Sequence, residues 1–130
     1  MIRKQIIVHQ FLHETETWKR TLGFIEEENA ILKNRLSQML RYVDANDTLL
    51  IEKLEWFQDS FIREDESTRL LKTQINEEDH LLIRDTYEDG DLFRALLKKQ
   101  KRLRKQFENI DRRFHRTRNE FNQYLAEVYA

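Results

Sequence analysis

Apolar residues recur along most of this chain at alternating steps of three and four. The first line runs Val8, Phe11, Thr15, Trp18, Leu22, Ile25, Asn29, Leu32, Leu36, Met39 and Val43, with only Thr15 and Asn29 polar. The second runs Leu50, Leu54, Phe57, Phe61, Glu64, Thr68, Leu71, Ile75, Glu78 and Leu82. The third runs Phe93, Leu96, Gln100, Leu103, Phe107, Ile110, Phe114, Thr117, Phe121, Tyr124 and Val128. A step of this kind marks one face of an α-helix, because a half-buried strand would alternate every second residue. The phase resets at Asp44-Ala45-Asn46-Asp47 and again at Asp89-Gly90-Asp91. Asn46 and Gly90 can take the left-handed conformation that ends a helix. Asp47 and Asp91 can accept from the free amides that begin the next. The pattern predicts helices over about 3–43, 47–87 and 91–129, each about 60 Å long at ~1.5 Å per residue.

Connections this short force consecutive helices to lie antiparallel. A sustained repeat of seven implies left-handed coiled-coil packing. The expected fold is all-α, a long antiparallel three-helix bundle forming one domain over residues 1–130. In architecture such a rod resembles the triple-helical repeats of spectrin. Gly23 falls inside the first helix, where it costs about 1 kcal/mol relative to Ala. It marks a bend, or a break that would give four helices.

In an antiparallel pair, facing residues have numbers with a constant sum. The sums expected here are 93 for helices 1 and 2 and 178 for helices 2 and 3. They stack Trp18 with Ile75 and Leu103, Leu22 with Leu71 and Phe107, and Leu36 with Phe57 and Phe121. Two layers are polar instead. One holds Thr15, Glu78 and Gln100, and the other holds Asn29 and Glu64 beside Phe114. A polar core residue fixes alignment at some loss of stability. The alternative use is a ligand or ion site, which bundles build from facing side chains.

Composition agrees with the helical reading. Charged residues make up 36 % of the chain, and there is no Pro, no Cys and only two Gly. Without Cys there is no disulfide framework, thiolate metal site or cysteine nucleophile. No apolar run exceeds three residues, so no segment resembles a membrane span or a signal peptide. The expected setting is cytoplasmic. The glycines are isolated and form no phosphate-binding loop, and no nucleophile motif is present. The expectation is a non-enzymatic protein with no catalytic residues and no cofactor. Glu64 and Glu78 stand about 21 Å apart along one helix, too far for paired-carboxylate chemistry. His9 and His13, with Glu16, could chelate zinc on one helical face, and Glu77 with His80 forms a lone Glu-x-x-His. A di-metal bundle needs two such motifs. A metal-binding bundle is therefore the third-ranked reading, and no metal ligand is assigned.

Charge divides by helix: residues 1–46 carry +1, residues 47–90 carry −8 and residues 91–130 carry +6. An acidic helix beside a basic one favours the intended pairing. The same basic cluster could follow a phosphate backbone. Its candidate contacts are Lys98, Lys99, Lys101, Arg102, Arg104, Lys105, Arg112 and Arg116. Against that second-ranked reading, no exposed aromatic residues interleave with the cluster, and the acidic helix would run alongside.

Five large apolar residues fall off the core lines: Phe24 and Ile31 on helix 1, and Leu49, Trp56 and Leu70 on helix 2. Their spacing in multiples of seven puts each set on one side of its helix, expected to be the groove between helices 1 and 2. Either helix 3 covers them or they form an interface. The leading expectation is the second: a protein-interaction or assembly module, forming a homodimer or binding a helical partner, with no membrane association.

Overall fold

A computed structural model describes residues 2–83 and 90–129. It contains three helices, α1 (Ile2–Tyr42), α2 (Thr48–Ile83) and α3 (Gly90–Val128), packed as a three-helix bundle. Among the described residues there is no strand. No described helix is long and apolar enough to cross a membrane. The expected last turn of helix 2, residues 84–87, and the break at Asp89 lie outside the described residues.

The α1–α2 connection is made by two aspartates. Asp44 accepts from Asn46 N–H through its side chain at 3.0 Å and from Asp47 N–H through its carbonyl at 2.9 Å. Asp47 caps α2, its carboxylate accepting from Leu50 N–H at 3.2 Å. That satisfies one of the four amides a helix N-terminus leaves free. The second connection departs from expectation. Gly90 opens α3 rather than closing α2, and Asp91 lies in the first turn, paired with Arg94 at 2.9 Å. Gly23 neither breaks nor ends α1, which runs on unbroken from both sides. The intrahelical bonds of its neighbours hold that turn.

The helices meet in the expected register. Phe57 and Phe121, whose numbers sum to 178, have ring centroids 5.1 Å apart. Side-chain bonds from the α1 core line to α2 join Thr15 to Asp79 and Asn29 to Asp65, and both pairs sum to 94. Burial follows the three predicted lines except at the ends and at Phe107 and Thr117, which are half-buried. Val128 is exposed while Leu125, off the line, is buried. A helix turns every 3.6 residues, so a strict seven-residue line drifts by ~20° per repeat. By the fifth repeat of α3, Leu125 has moved onto the core side.

The core divides in two. The larger cluster includes Trp18, Leu22, Phe57, Phe61, Leu103 and Phe121, and a smaller one holds Val8, Leu82, Phe93 and Leu96. The layer between them is Thr15, Glu78 and Gln100, all fully buried. The second polar layer makes no such division, because Phe114 carries the apolar contact through it.

Candidate functional site

The buried polar groups are served from the flanks of the core. Asn29 donates to the Phe61 carbonyl at 2.8 Å and to Asp65, which also pairs with Lys33. Fourteen residues toward the start of α1 the arrangement recurs: the Thr15 hydroxyl lies 2.7 Å from Asp79, which pairs with Lys19. Arg104 grips Glu14 with two bonds of 2.8 Å, and Arg118 grips Glu28 at 3.0 and 3.2 Å. Gln100 donates to Glu14 at 2.7 Å. Burial pushes the Glu14 carboxyl up, but the bonds from Arg104 and Gln100 outweigh it and leave its pKa lowered.

The two core carboxylates differ. Glu64 accepts from Arg113 at 3.0 Å, yet burial still leaves its pKa raised. Both oxygens of Glu78 are buried and accept no hydrogen bond, and Gln100 Oε1 in the same layer is also unpartnered. Burial pushes Glu78 up to about 7, with Lys99 and Arg102 opposing and Asp79 and Glu14 adding to the rise. Three acceptor atoms without a donor favour a protonated carboxyl. The two acids that add to the rise have partners of their own, Thr15 and Lys19 for Asp79 and Arg104 and Gln100 for Glu14.

The five off-line apolar residues are all exposed: Phe24 (65 %), Ile31 (67 %), Leu49 (80 %), Trp56 (46 %) and Leu70 (62 %). Helix α3 does not cover them. They do not share the expected α1–α2 groove either. Lys19, Glu26 and Lys33, which pair with α2, mark the α2-facing flank of α1. Glu14 and Glu28, which pair with α3, mark the other flank. Phe24 is four residues before Glu28 and Ile31 three after it, so both stand on the α3 side of α1. Trp56 and Leu70 line grooves between α2 and α3. The apolar set is thus split into two faces with α3 between them. The seven-residue spacing showed that each set was aligned, but it could not show to which neighbour each flank turns.

The α1–α3 face runs from Phe24 and Ile31 to an open pocket of about 860 Å³ at the end where α1 finishes. Met39, Tyr42, Val43, Leu50, Leu125 and Tyr129 give that pocket its apolar lining.

The basic residues of α3 also divide. Arg104, Arg113 and Arg118 are committed to Glu14, Glu64 and Glu28. Lys98, Lys101, Arg102, Lys105, Arg112 and Arg116 are exposed and have no ion-pair partner among the described residues. Lys99 is half-buried beside Glu78. Two hollows of about 610 and 240 Å³ follow one another along the α2–α3 seam, and a third of about 380 Å³, lined by α3 alone, continues them onto the outer surface of α3. The first two share Ser67 and Arg113, and the last two share Gln106 and Asn109, so they form one groove.

Sequence reasoning missed the α2 wall of this groove, which is Trp56, Ser60, Arg63, Ser67, Leu70 and Gln74. The signal was present. These residues are spaced alternately four and three, a second line parallel to the core line and one flank away.

His9, His13, His80 and His115 are exposed, and His115 Nδ1 donates to the Asp111 carbonyl at 2.7 Å. Among the described residues no three His, Cys, Asp or Glu side chains converge as a metal site would require. Comparison with protein-family models, with curated proteins and with solved structures finds no match to this chain.

Proposed function

We propose that this protein is a non-enzymatic interaction module that assembles as a dimer through the α1–α3 face. One observation carries the reading: Phe24 and Ile31 stand about two-thirds exposed while Thr15, Asn29, Glu78 and Gln100 are fully buried. Side chains of that size left in water beside an apolar pocket mark contact surfaces. A two-fold dimer is the commonest way a chain covers such a face. The reading includes coiled-coil packing of the helices and a cytoplasmic setting, taken from the seven-residue repeat and the composition.

Light scattering coupled to size-exclusion chromatography tests it. The expected mass is twice the 16.1 kDa of the chain. Ile31→Asp, on an exposed site, is expected to return it to the monomer value with the melting temperature nearly unchanged. A monomer mass for the unaltered protein at every concentration would sink dimer assembly.

A further inference from the structure

The α2–α3 groove lies on the other side of α3 from the face just described and has different chemistry. Its α3 wall carries Arg113 and Arg116, and the adjoining hollow on the outer surface of α3 carries Lys98, Lys101, Arg102 and Lys105; of these only Arg113 is in an ion pair among the described residues. Its α2 wall adds Arg63, which donates to the Ser60 hydroxyl at 3.4 Å. Helix α2 is the acidic helix, yet Glu64 is its one acid among the groove-lining residues, and Arg113 holds it. Asp65 and Asp79 turn toward α1, and Glu77 continues the Trp56–Gln74 line beyond the lined wall. Glu120 on α3 closes one end. The fold has sorted an acidic helix so that its α3-facing wall carries hydroxyls and an amide, with Arg63 balancing Glu64 in charge.

The same wall supplies an aromatic ring. Trp56 is 46 % exposed and lines the groove with Arg113 and Arg116. It is held from behind by an edge-to-face contact with Phe57 at 5.1 Å and by Lys53 at 4.9 Å from its centroid. A fixed, half-exposed indole among guanidinium groups is a platform on which a flat, electron-rich ring can stack.

We propose that the α2–α3 groove binds single-stranded nucleic acid, with the cations of α3 following the phosphates and Trp56 stacking on a base. This goes beyond the assembly reading and uses a separate surface. Cations along a channel with an aromatic platform are the recurring features of sequence-tolerant single-strand binding. The stretch from Lys98 to Arg116 is about 27 Å long at ~1.5 Å per residue. A fully stacked strand, at ~3.4 Å per nucleotide, would set at most about eight phosphates along it. A duplex fits less well, because its stacked bases cannot reach Trp56.

The test uses a fluorescein-labelled oligodeoxythymidylate, a duplex of the same length and inorganic polyphosphate. The single strand is expected to bind best, with log K falling against log salt at a slope of about −3 to −4 for about five contacts. Trp56 emission should be quenched by the oligonucleotide and not by polyphosphate. Trp56→Ala should weaken oligonucleotide binding about 5- to 100-fold, the range of one lost base stack, and leave polyphosphate binding unchanged. Arg102→Glu with Lys105→Glu should weaken both. No binding at low salt, equal binding of the duplex, or an unchanged affinity of Trp56→Ala would each overturn the proposal. Ile31→Asp should bind oligonucleotide like the unaltered protein, so failure here and failure of dimer assembly are read separately.

Discussion

Arg113 donates to the buried Glu64 carboxylate at 3.0 Å across the α2–α3 seam. Fourteen residues along each helix, Glu78 takes the place of Glu64 and Lys99 the place of Arg113. The guanidinium reaches and the ammonium does not, and both Glu78 oxygens stay unpartnered. A planar, weakly hydrated guanidinium enters a seam more readily than a strongly hydrated point charge.

That difference sets a pH dependence. Glu78 has an ordinary value of 4.5 and a folded value of about 7. The folded state holds the proton more tightly, so the group's contribution to stability is complete below pH 4.5 and is lost as pH rises through about 7. A shift of this size corresponds to about 3 kcal/mol as an order of magnitude. Glu78→Gln is expected to melt well above the unaltered protein at pH 8 and close to it at pH 4. A gain that does not change with pH would contradict the assignment. Lys99→Arg should narrow the gap by supplying the missing donor.

The α1–α2 seam carries a three-rung ladder, Lys19–Asp79, Glu26–Lys72 and Lys33–Asp65, each seven residues from the next. The middle rung is reversed, so a slip of seven sets Lys against Lys and Glu against Asp. Each partly exposed rung contributes less than about 1 kcal/mol, but the slip is penalised at every rung. Asn29→Leu is expected to raise the melting temperature, since it removes a buried acceptor without a partner. Adding Glu26→Lys with Lys72→Glu makes all rungs the same sense and should admit a slipped register. Cysteine cross-linking, clean in a chain with no native Cys, would show one register for Asn29→Leu and two for the combination. A single register in both would mean that apolar packing alone sets alignment.

The polar layer at Thr15, Glu78 and Gln100 separates the small cluster around Val8 and Phe93 from the main core. Local opening follows apolar contact density. Amide hydrogen exchange is expected to be faster over residues 4–12 and 92–98 than over 18–36 and 103–121. Uniform protection would show that the layer transmits cooperativity.

A Cβ added at Gly23 meets no atom within 4 Å. Gly23→Ala should therefore raise stability by about 0.5–1 kcal/mol in chemical denaturation. A loss would place an unseen neighbour there.

The helices, their core faces and their axial register were legible because each depends on spacing along the chain. An amphipathic face needs a period, and antiparallel register needs a short loop and a matching set of layers. The burial of Asn29 and Glu78 was legible for the same reason: an interruption of a regular line lies on that line. Gly90 was misplaced because the conformation of a turn depends on the helix it joins, and glycine fits either end.

Spacing alone left open which flank of a helix faces which neighbour. Phe24 and Trp56 occupy equivalent places in their repeats, yet one looks over the α1–α3 side and the other into the α2–α3 groove. Net charge per helix misled for a related reason. An acidic total for residues 47–90 does not reveal that Ser60, Arg63 and Ser67 are the side chains turned toward Arg113 and Arg116. Sequence alone determined the rod, because helical periodicity and chain reversal are local. Only the tertiary structure decided its surfaces, because an outer face is built by two helices and its chemistry belongs to neither.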